Sequence, residues 1–215
     1  MIHLTGPGGA GKTTVGTVLA EHLDVPFVDL DAEFAASTGD ISAYLATYGY
    51  RAYAERNVSL YAALVREPRW PGVVALSSGF MTYRDDVHLD YVRWRLRIAS
   101  SESSFVLLPS LDVESCVAEI VRRQLRRPFA RTPEREEQVI RARFPIYARL
   151  AARKIETMRP VDAVVAEVLA VVAAQQAAAP DGAVGFGKCS ESRPEEKGSY
   201  VNVHRRQQGR LPSFS

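Results

Sequence analysis

The sequence has only 2 cysteines, Cys116 and Cys189, in 215 residues. A disulfide framework is therefore excluded, and a reducing compartment such as the cytoplasm is expected. The chain also lacks an excess of one charge, because 27 basic and 25 acidic residues leave a net charge of +2. That value is too small to indicate a nucleic-acid-binding protein by charge alone, so nucleic acid is not the expected partner.

Long uninterrupted hydrophobic runs are also missing. The most apolar segment, 161–179, contains Asp162 and Glu167 and is rich in alanine and valine, which favours a packing helix over a membrane span. A glycine-rich stretch starts at Gly6, where a signal peptide would have its apolar core. We therefore expect no membrane partner, and the 47% hydrophobic and 24% charged residues are typical of a globular protein.

Short apolar runs alternate with longer periodic stretches along most of the chain. This pattern predicts an α/β fold in which helices cover a parallel sheet. Strands are predicted at 2–5, 26–29, 73–77 and 105–109, with a weaker one near 154–157. Helices are predicted at about 12–23, 41–48, 51–66, 112–124, 134–152 and 161–174.

The composition changes near Pro180, where aliphatic periodicity stops and glycine, serine and charged residues dominate. We therefore predict one domain over 1–179 and a flexible tail over 180–215. A solvated tail is the simpler expectation, and contact with nucleic acid or another partner is the alternative.

A phosphate-binding motif follows the first predicted strand and precedes the first predicted helix. Its GxxxxGK[ST] pattern predicts backbone N–H groups that bind nucleotide phosphates, with Lys12 reaching the β- and γ-phosphates and the Thr13 hydroxyl holding Mg²⁺. The motif predicts a bound nucleoside triphosphate, but it does not identify the phosphoryl acceptor. Its residues are Gly6, Pro7, Gly8, Gly9, Ala10, Gly11, Lys12, Thr13 and Thr14.

Asp29 and Asp31 stand at the end of the second predicted strand. Two carboxylates at i and i+2 of an extended chain lie on one side, so one can hold Mg²⁺ while the other accepts a proton from an attacking hydroxyl. The alternative is that both aspartates only cap the following helix.

Five arginines occur in 122–131, and Pro128 must end the helix there. In a small P-loop kinase, a closing lid would lie in such a segment and would bring positive charge to the transferred phosphoryl group. We predict this lid at about 125–134. A solvated charged surface and an RNA-binding patch are the alternatives.

Tyrosines are frequent on the predicted helices between 41 and 66. Packing in the core or in the wall of a pocket is the first interpretation, and stacking on a substrate is the alternative. The five residues are Tyr44, Tyr48, Tyr50, Tyr53 and Tyr61.

Over roughly 1–172, these motifs in this order resemble the shikimate kinase family of P-loop kinases. The resemblance implies a three-layer α/β fold with a central five-stranded parallel sheet, a helical acceptor region at about 31–66 and a mobile lid. It implies ATP and Mg²⁺ as cofactors, a small hydroxylated acid as substrate, and a cytoplasmic enzyme for which a monomer is favoured.

Individual positions match the motifs of the family. The resemblance implies that Asp29 is the aspartate on the Mg²⁺ side and that Asp31 binds the substrate hydroxyls and is the base. Arg127 matches the lid arginine that contacts phosphate, and Arg143 matches the arginine that binds the substrate carboxylate. Further nucleotide contacts are implied for Arg123, Arg159 and Pro160.

Two departures from the family fall on the acceptor side. The glycine turn of the family is Ser77-Ser78-Gly79-Phe80 here, and Ser78 and Gly79 remain the expected substrate contacts. The substrate arginine that follows an aromatic residue in the family is replaced by Ala54. Arg51, one helical turn away, is the expected substitute, with Arg56 as the other candidate.

The function that we expect is transfer of the ATP γ-phosphoryl group to a hydroxyl of shikimate or a similar acid, with Lys12, Asp31 and Arg127 as catalytic residues. One alternative is a kinase for another hydroxylated metabolite, such as a gluconate-like acid or a polyol. The other is a P-loop protein that binds ATP for regulation or near nucleic acid.

Overall fold

The computed structural model describes residues 1–66, 70–126 and 132–178. Within them a five-stranded sheet has the order β2-β3-β1-β4-β5, and all four pairings between neighbouring strands are parallel. The strands are β1 (Ile2–Thr5), β2 (Phe27–Asp29), β3 (Val73–Ala75), β4 (Ser104–Leu108) and β5 (Arg153–Glu156). The predicted five-stranded parallel sheet is confirmed.

Helices connect successive strands. They are α1 (Lys12–Leu23), α2 (Leu30–Thr38), α3 (Ile41–Val65), α4 (Tyr91–Ser100), α5 (Val113–Gln124), α6 (Pro133–Arg149) and α7 (Val161–Ala178). Helix α3 is broken at Gly49, whose φ of 78° and ψ of 172° are not helical. The two helices predicted on either side of that glycine are therefore present as the two halves of α3.

Two helices, α2 and α4, were not among the predicted elements. In α4 the sequence from Val92 to Ile98 alternates apolar residues and arginines, which imitates the two-residue period of a strand. The helix instead buries Tyr91 and Ile98, seven residues apart on one face, while Leu96 stays exposed. Tertiary burial at the helical period therefore overrides the local alternation.

Helix α2 starts immediately after β2, so Asp31 lies in a first helical turn rather than on an extended chain. The same-side geometry that we predicted for Asp29 and Asp31 is therefore wrong. Asp29 does cap the following helix, because its Oδ1 accepts hydrogen bonds from the backbone N–H groups of Asp31 and Ala32, while its Oδ2 makes a separate contact described below.

The sheet separates two hydrophobic clusters, which gives the predicted three layers. Alternate residues of β1 show the division: Ile2 and Leu4 pack with α1 and α7, whereas His3 contacts Tyr61 of α3 on the other face. The larger cluster joins α3, α4, α5 and α6. Successive strand residues point to opposite faces, and helices pack on both faces, so both sides of the sheet are buried.

The strand order places β1 between β3 and β4, with β2 beyond β3. In parallel sheets the carboxyl ends of all strands meet at one edge, and ligands bind where the order of the strands reverses. The loops that follow β1, β2, β3 and β5 therefore converge on one site, and they carry the motifs singled out in the sequence.

None of the helices in the described ranges combines the length and the hydropathy that a membrane crossing requires. The catalytic prediction for Arg127 falls outside the described residues, as does the centre of the predicted lid. The predicted tail, 180–215, also lies outside them.

Candidate active site

The loop between β1 and α1 forms a tight, glycine-rich turn at the start of a helix. Helix α1 begins at Lys12, and Gly6, Gly9 and Gly11 of the preceding loop all have positive φ. The Lys12 ammonium folds back on this loop and donates to the carbonyl oxygens of Gly6 (2.8 Å) and Pro7 (3.0 Å). The loop therefore has the strand–turn–helix setting that phosphate binding requires.

Thr13 and Asp29 come together across the site. The Thr13 hydroxyl donates to Asp29 Oδ2 at 2.6 Å, while the other oxygen of Asp29 caps α2. The end of β2 is thereby fixed against the start of α1. The two residues predicted to hold the metal are adjacent, and both offer oxygen, the element that Mg²⁺ prefers.

Arg123 of α5 connects the phosphate loop to the loop after β5. Its guanidinium donates to the Gly9 carbonyl (3.0 Å) and to the Thr157 carbonyl (3.0 Å), and its Nε donates to Glu119 (2.6 Å). Hydrogen bonds from Arg122, assisted by Arg123, lower the pKa of Glu119 to about 2. Glu119 therefore stays ionised and fixes the direction of Arg123.

A cavity of about 300 Å³ opens beside this arginine. Arg123 and Arg159 both line it, together with Gly9, Gly11 and Thr14 of the phosphate loop. Five of the predicted nucleotide-binding residues thus line one cavity. Pro160 directly precedes α7, where its carbonyl accepts from the N–H groups of Ala163 and Val164.

Asp31 faces the tyrosines of α3. The Tyr53 hydroxyl donates to Asp31 Oδ1 at 2.9 Å, and burial together with the nearby carboxylate raises the pKa of Tyr53. Tyr53 is therefore a neutral donor at working pH. Within the described part of the chain no hydrogen bond reaches Asp31 Oδ2, so the contact with Tyr53 sets the orientation of the carboxylate through its other oxygen.

The turn after β3 carries the acceptor-side contacts. Arg143 of α6 donates to the carbonyl oxygen and the hydroxyl of Ser78 (3.3 and 3.4 Å) and to the Tyr50 hydroxyl (3.2 Å). Tyr147, one turn later on α6, donates to the same Ser78 carbonyl at 2.7 Å. Helix α6 therefore holds the turn from one side, and the predicted residues Ser78, Gly79 and Arg143 lie together.

Arg51 was the expected substitute for the guanidinium missing at Ala54. Its guanidinium instead donates to Glu55 (2.8 Å) and Asp86 (2.9 Å), and none of its hydrogen bonds reaches Asp31 or the Ser78 turn. The geometry gives no support to Arg51 as an acceptor contact. The carboxylates of Glu55, at i+4, and of Asp86, on the loop after β3, form ion pairs with this guanidinium. Arg56 has a buried Nε without a hydrogen-bond partner among the described residues.

Three polar residues of this region were not identified as site residues from the sequence. Tyr50 and Tyr53 were noted only as members of an aromatic stretch, and Asn57 was not noted. Asn57 is fully buried and accepts a 2.5 Å hydrogen bond from the Ser77 hydroxyl. The available signal was spacing: Tyr53 and Asn57 are four residues apart, on one face of α3.

The sequence matches the family described as Shikimate kinase over residues 8–173. This match covers well over half of the chain. The chain belongs to the shikimate kinase family. Its membership agrees with the order of the strands and with the position of the phosphate loop, and it confirms that the chain is a kinase.

Individual shikimate kinases show the extent of the similarity. The protein from Rhizobium meliloti (strain 1021) is 32% identical over 174 residues, which are 79% of this chain and 84% of that protein. The one from Paramagnetospirillum magneticum (strain AMB-1) is 34% identical over 151 residues, covering 68% and 71%.

A solved structure, shikimate kinase from Acinetobacter baumannii in complex with shikimate, superposes with a TM-score of 0.62 at 26% identity. The superposition covers 81% of this chain and 93% of that one. Shikimate kinases use ATP as the phosphoryl donor. Family membership therefore assigns the nucleotide side of the site to ATP and leaves the acceptor side to be argued from its own residues.

Proposed function

We propose that this shikimate kinase family member transfers the γ-phosphoryl group of ATP, with Mg²⁺, to a hydroxyl of shikimate or a closely similar hydroxylated acid. The observation that carries the proposal is that the two aspartates after β2 contact different parts of the site. Asp29 accepts a hydrogen bond from Thr13 of the phosphate loop, whereas Asp31, two residues later, accepts one from Tyr53 of the acceptor region. One short segment thus joins the nucleotide side to the acceptor side.

On the nucleotide side, the backbone N–H groups of the loop from Gly6 to Thr14 would bind the phosphates, and Lys12 would exchange its carbonyl partners for phosphate oxygens. The adenosine would occupy the cavity lined by Arg123 and Arg159, with Pro160 at its border. Because Arg123 is already held by Glu119 and by two carbonyl groups, little ordering of this side chain is needed on binding.

Mg²⁺ would be held by Thr13 and Asp29. Their side-chain oxygens lie 2.6 Å apart, and a hydroxyl and a carboxylate suit an ion that keeps water and phosphate oxygens as its other ligands. When bound, the ion would neutralise charge on the transferred phosphoryl group. The residues present therefore fit the cofactor.

On the acceptor side, Asp31 would orient the attacking hydroxyl and accept its proton as the new O–P bond forms and the bond from the γ-phosphorus to the bridging oxygen breaks, with ADP as the leaving group. Arg143 would bind the carboxylate, with Ser78 and Gly79 forming the floor beside it. Arg127, whose position comes from the sequence alone, is proposed to stabilise the phosphoryl group in flight. Most of the rate enhancement would come from positioning and charge neutralisation.

The test is the initial rate of ADP release from Mg·ATP with and without shikimate, for the wild-type chain and for Asp31→Asn. We expect shikimate-dependent release that falls by roughly 100-fold or more in the variant, the size of a lost general base. Asp24→Asn is the matched control. It makes the same change at the exposed end of α1, where asparagine tolerates the left-handed backbone, so its rate should stay within about twofold of wild type.

A fully active Asp31→Asn would overturn the assigned role of Asp31. The absence of shikimate turnover, with turnover on another hydroxylated acid of a panel, would replace the acceptor. Ala54 and the serine-rich turn are the features that favour such a change of acceptor.

A further inference from the structure

The guanidinium of Arg143 and the hydroxyl of Tyr50 meet at the Ser78-Gly79 turn. Arg143 Nη2 donates to the Tyr50 hydroxyl oxygen at 3.2 Å, although the two residues are 93 positions apart in sequence. The Tyr50 ring packs edge-to-face against the ring of Tyr83, with 5.8 Å between the two ring centroids. The hydroxyl is therefore placed by packing and by a charged donor together.

The Tyr50 hydroxyl uses its oxygen as an acceptor in this contact, so its own proton remains to be donated. No hydrogen bond from this proton to another residue is present in the described ranges. The side chain is 46% exposed, so the proton can point to solvent or to a ligand. A hydroxyl that accepts from a cation is also a stronger donor, because the hydrogen bonds polarise one another.

The approach of this hydroxyl depends on Gly79. A Cβ at that position would lie 2.4 Å from the Tyr50 hydroxyl oxygen and 3.3 Å from Arg143 Nη2. The Tyr50 hydroxyl and the Arg143 guanidinium therefore meet against Gly79, and Tyr83 Cε1 lies 3.0 Å from the same Cβ position. A side chain at position 79 would displace the Tyr50 hydroxyl.

Neither Ala54 nor Arg51 brings a second cation to this place. Ala54 is buried in the core at 4% exposure, and Arg51 is bonded to Glu55 and Asp86. The donor that stands next to Arg143 is instead a neutral phenol.

We propose that Tyr50 and Arg143 together bind the carboxylate of the acceptor, with the Tyr50 hydroxyl taking the place of the second guanidinium. This inference rests on the proposed function. Its consequence is a preference for small acids with a single carboxylate, which one cation and one neutral donor can satisfy. An acceptor with two adjacent anionic groups would leave one of them without a counter-charge.

The test uses steady-state kinetics of the full-length chain with Mg·ATP and shikimate, and with its methyl ester. In Tyr50→Phe we expect the KM for shikimate to rise about tenfold to 100-fold, the effect of one lost hydrogen bond to a charged group, while kcat and the KM for ATP stay within about twofold. With the methyl ester, which has no carboxylate, the KM values of wild type and variant should agree.

Tyr48→Phe is the matched control, because Tyr48 is 63% exposed and its ring contacts Tyr44. It should leave every constant unchanged. Thermal unfolding of both variants confirms that each remains folded.

An unchanged KM in Tyr50→Phe would overturn the proposal. A lowered KM would also overturn it, because it would show that Tyr50 covers Arg143 instead of assisting it. In both cases turnover by the wild-type chain would leave the proposed function intact. A wild-type chain that phosphorylates no hydroxylated acid would overturn the proposed function and this inference with it.

Discussion

Tyr53 contacts Asp31 from a buried position, and substitution can test whether this contact matters for catalysis. Its hydroxyl donates to Asp31 Oδ1, so Tyr53→Phe should lower kcat about tenfold, which corresponds to one charged hydrogen bond, with little change in the KM for ATP. Tyr61→Phe is the matched control, since it removes a hydroxyl that contacts His3, away from Asp31. Steady-state rates of the two variants decide the matter, and equal kcat values would contradict the positioning role.

The phosphate loop could be recognised from the sequence alone, because its nine residues are consecutive. The structure confirms its place between β1 and α1. Arg143 and Ser78 are 65 positions apart, and the resemblance to a family, not spacing, suggested their proximity. The expected role of Arg51 has no support in the structure, because its guanidinium forms ion pairs with Glu55 and Asp86.

At the scale of elements, long periodic segments were predicted well and short or misleading ones were not. The boundaries of α1 and the position of α5 follow from apolar periodicity and from Asp112 as a capping residue. Helix α2 has nine residues and a cap that depends on Asp29, which also serves the phosphate loop. Helix α4 was missed because its arginines alternate with apolar residues.

The break in α3 at Gly49 has a measurable consequence for the acceptor site. Gly49→Ala should lower the free energy of unfolding by about 1–2 kcal/mol, because a side chain is strained at positive φ, and should also raise the KM for the acceptor by displacing Tyr50. Gly39→Ala is the matched control. Gly39 also has a positive φ (89°), but it ends α2 without a neighbour in the site.

Urea unfolding and acceptor kinetics of both glycine variants separate the two effects. Similar destabilisation in both, with a raised KM only in Gly49→Ala, is the expected result. A raised KM in both variants would mean that general loosening, and not the position of Tyr50, changes the binding of the acceptor.

For the whole molecule, the sequence predicted the architecture better than the contacts within it. The alternation of short apolar runs with longer periodic segments predicted a parallel sheet covered by helices, and the resemblance to a family implied its three layers. What the pattern could not supply was the pairing of side chains from remote segments. His3 is an example, because its partner Tyr61 is 58 positions away and no local pattern indicates the contact.

Burial of His3 should make the folded chain sensitive to acid. Burial of the ring, and to a smaller extent nearby positive charge, lowers the pKa of His3 to about 3. The pKa of a histidine in an unfolded chain is about 6.5. Between these values the unfolded chain binds a proton that the folded chain does not, so stability falls as the pH falls. Between about pH 7.5 and about pH 5.5 this group alone should lower the free energy of unfolding by on the order of 1 kcal/mol.

Denaturant unfolding of wild type and His3→Gln at both pH values measures this contribution. The variant should lose less stability on acidification than the wild type by that amount. His22→Gln, which alters an exposed imidazole on α1, should show the full wild-type loss. Equal acid losses in wild type and His3→Gln would show that His3 does not carry the effect.

The assigned roles all depend on transfer of the γ-phosphoryl group of ATP to a hydroxyl of shikimate. Phosphorus NMR of a reaction containing the chain, Mg·ATP and shikimate observes the product of this transfer, with Lys12→Ala as the companion sample. We expect a new phosphate-ester signal that grows in step with ADP in the wild type and is nearly absent in Lys12→Ala. Release of ADP with inorganic phosphate alone, or an ester signal of normal rate in Lys12→Ala, would contradict these assignments.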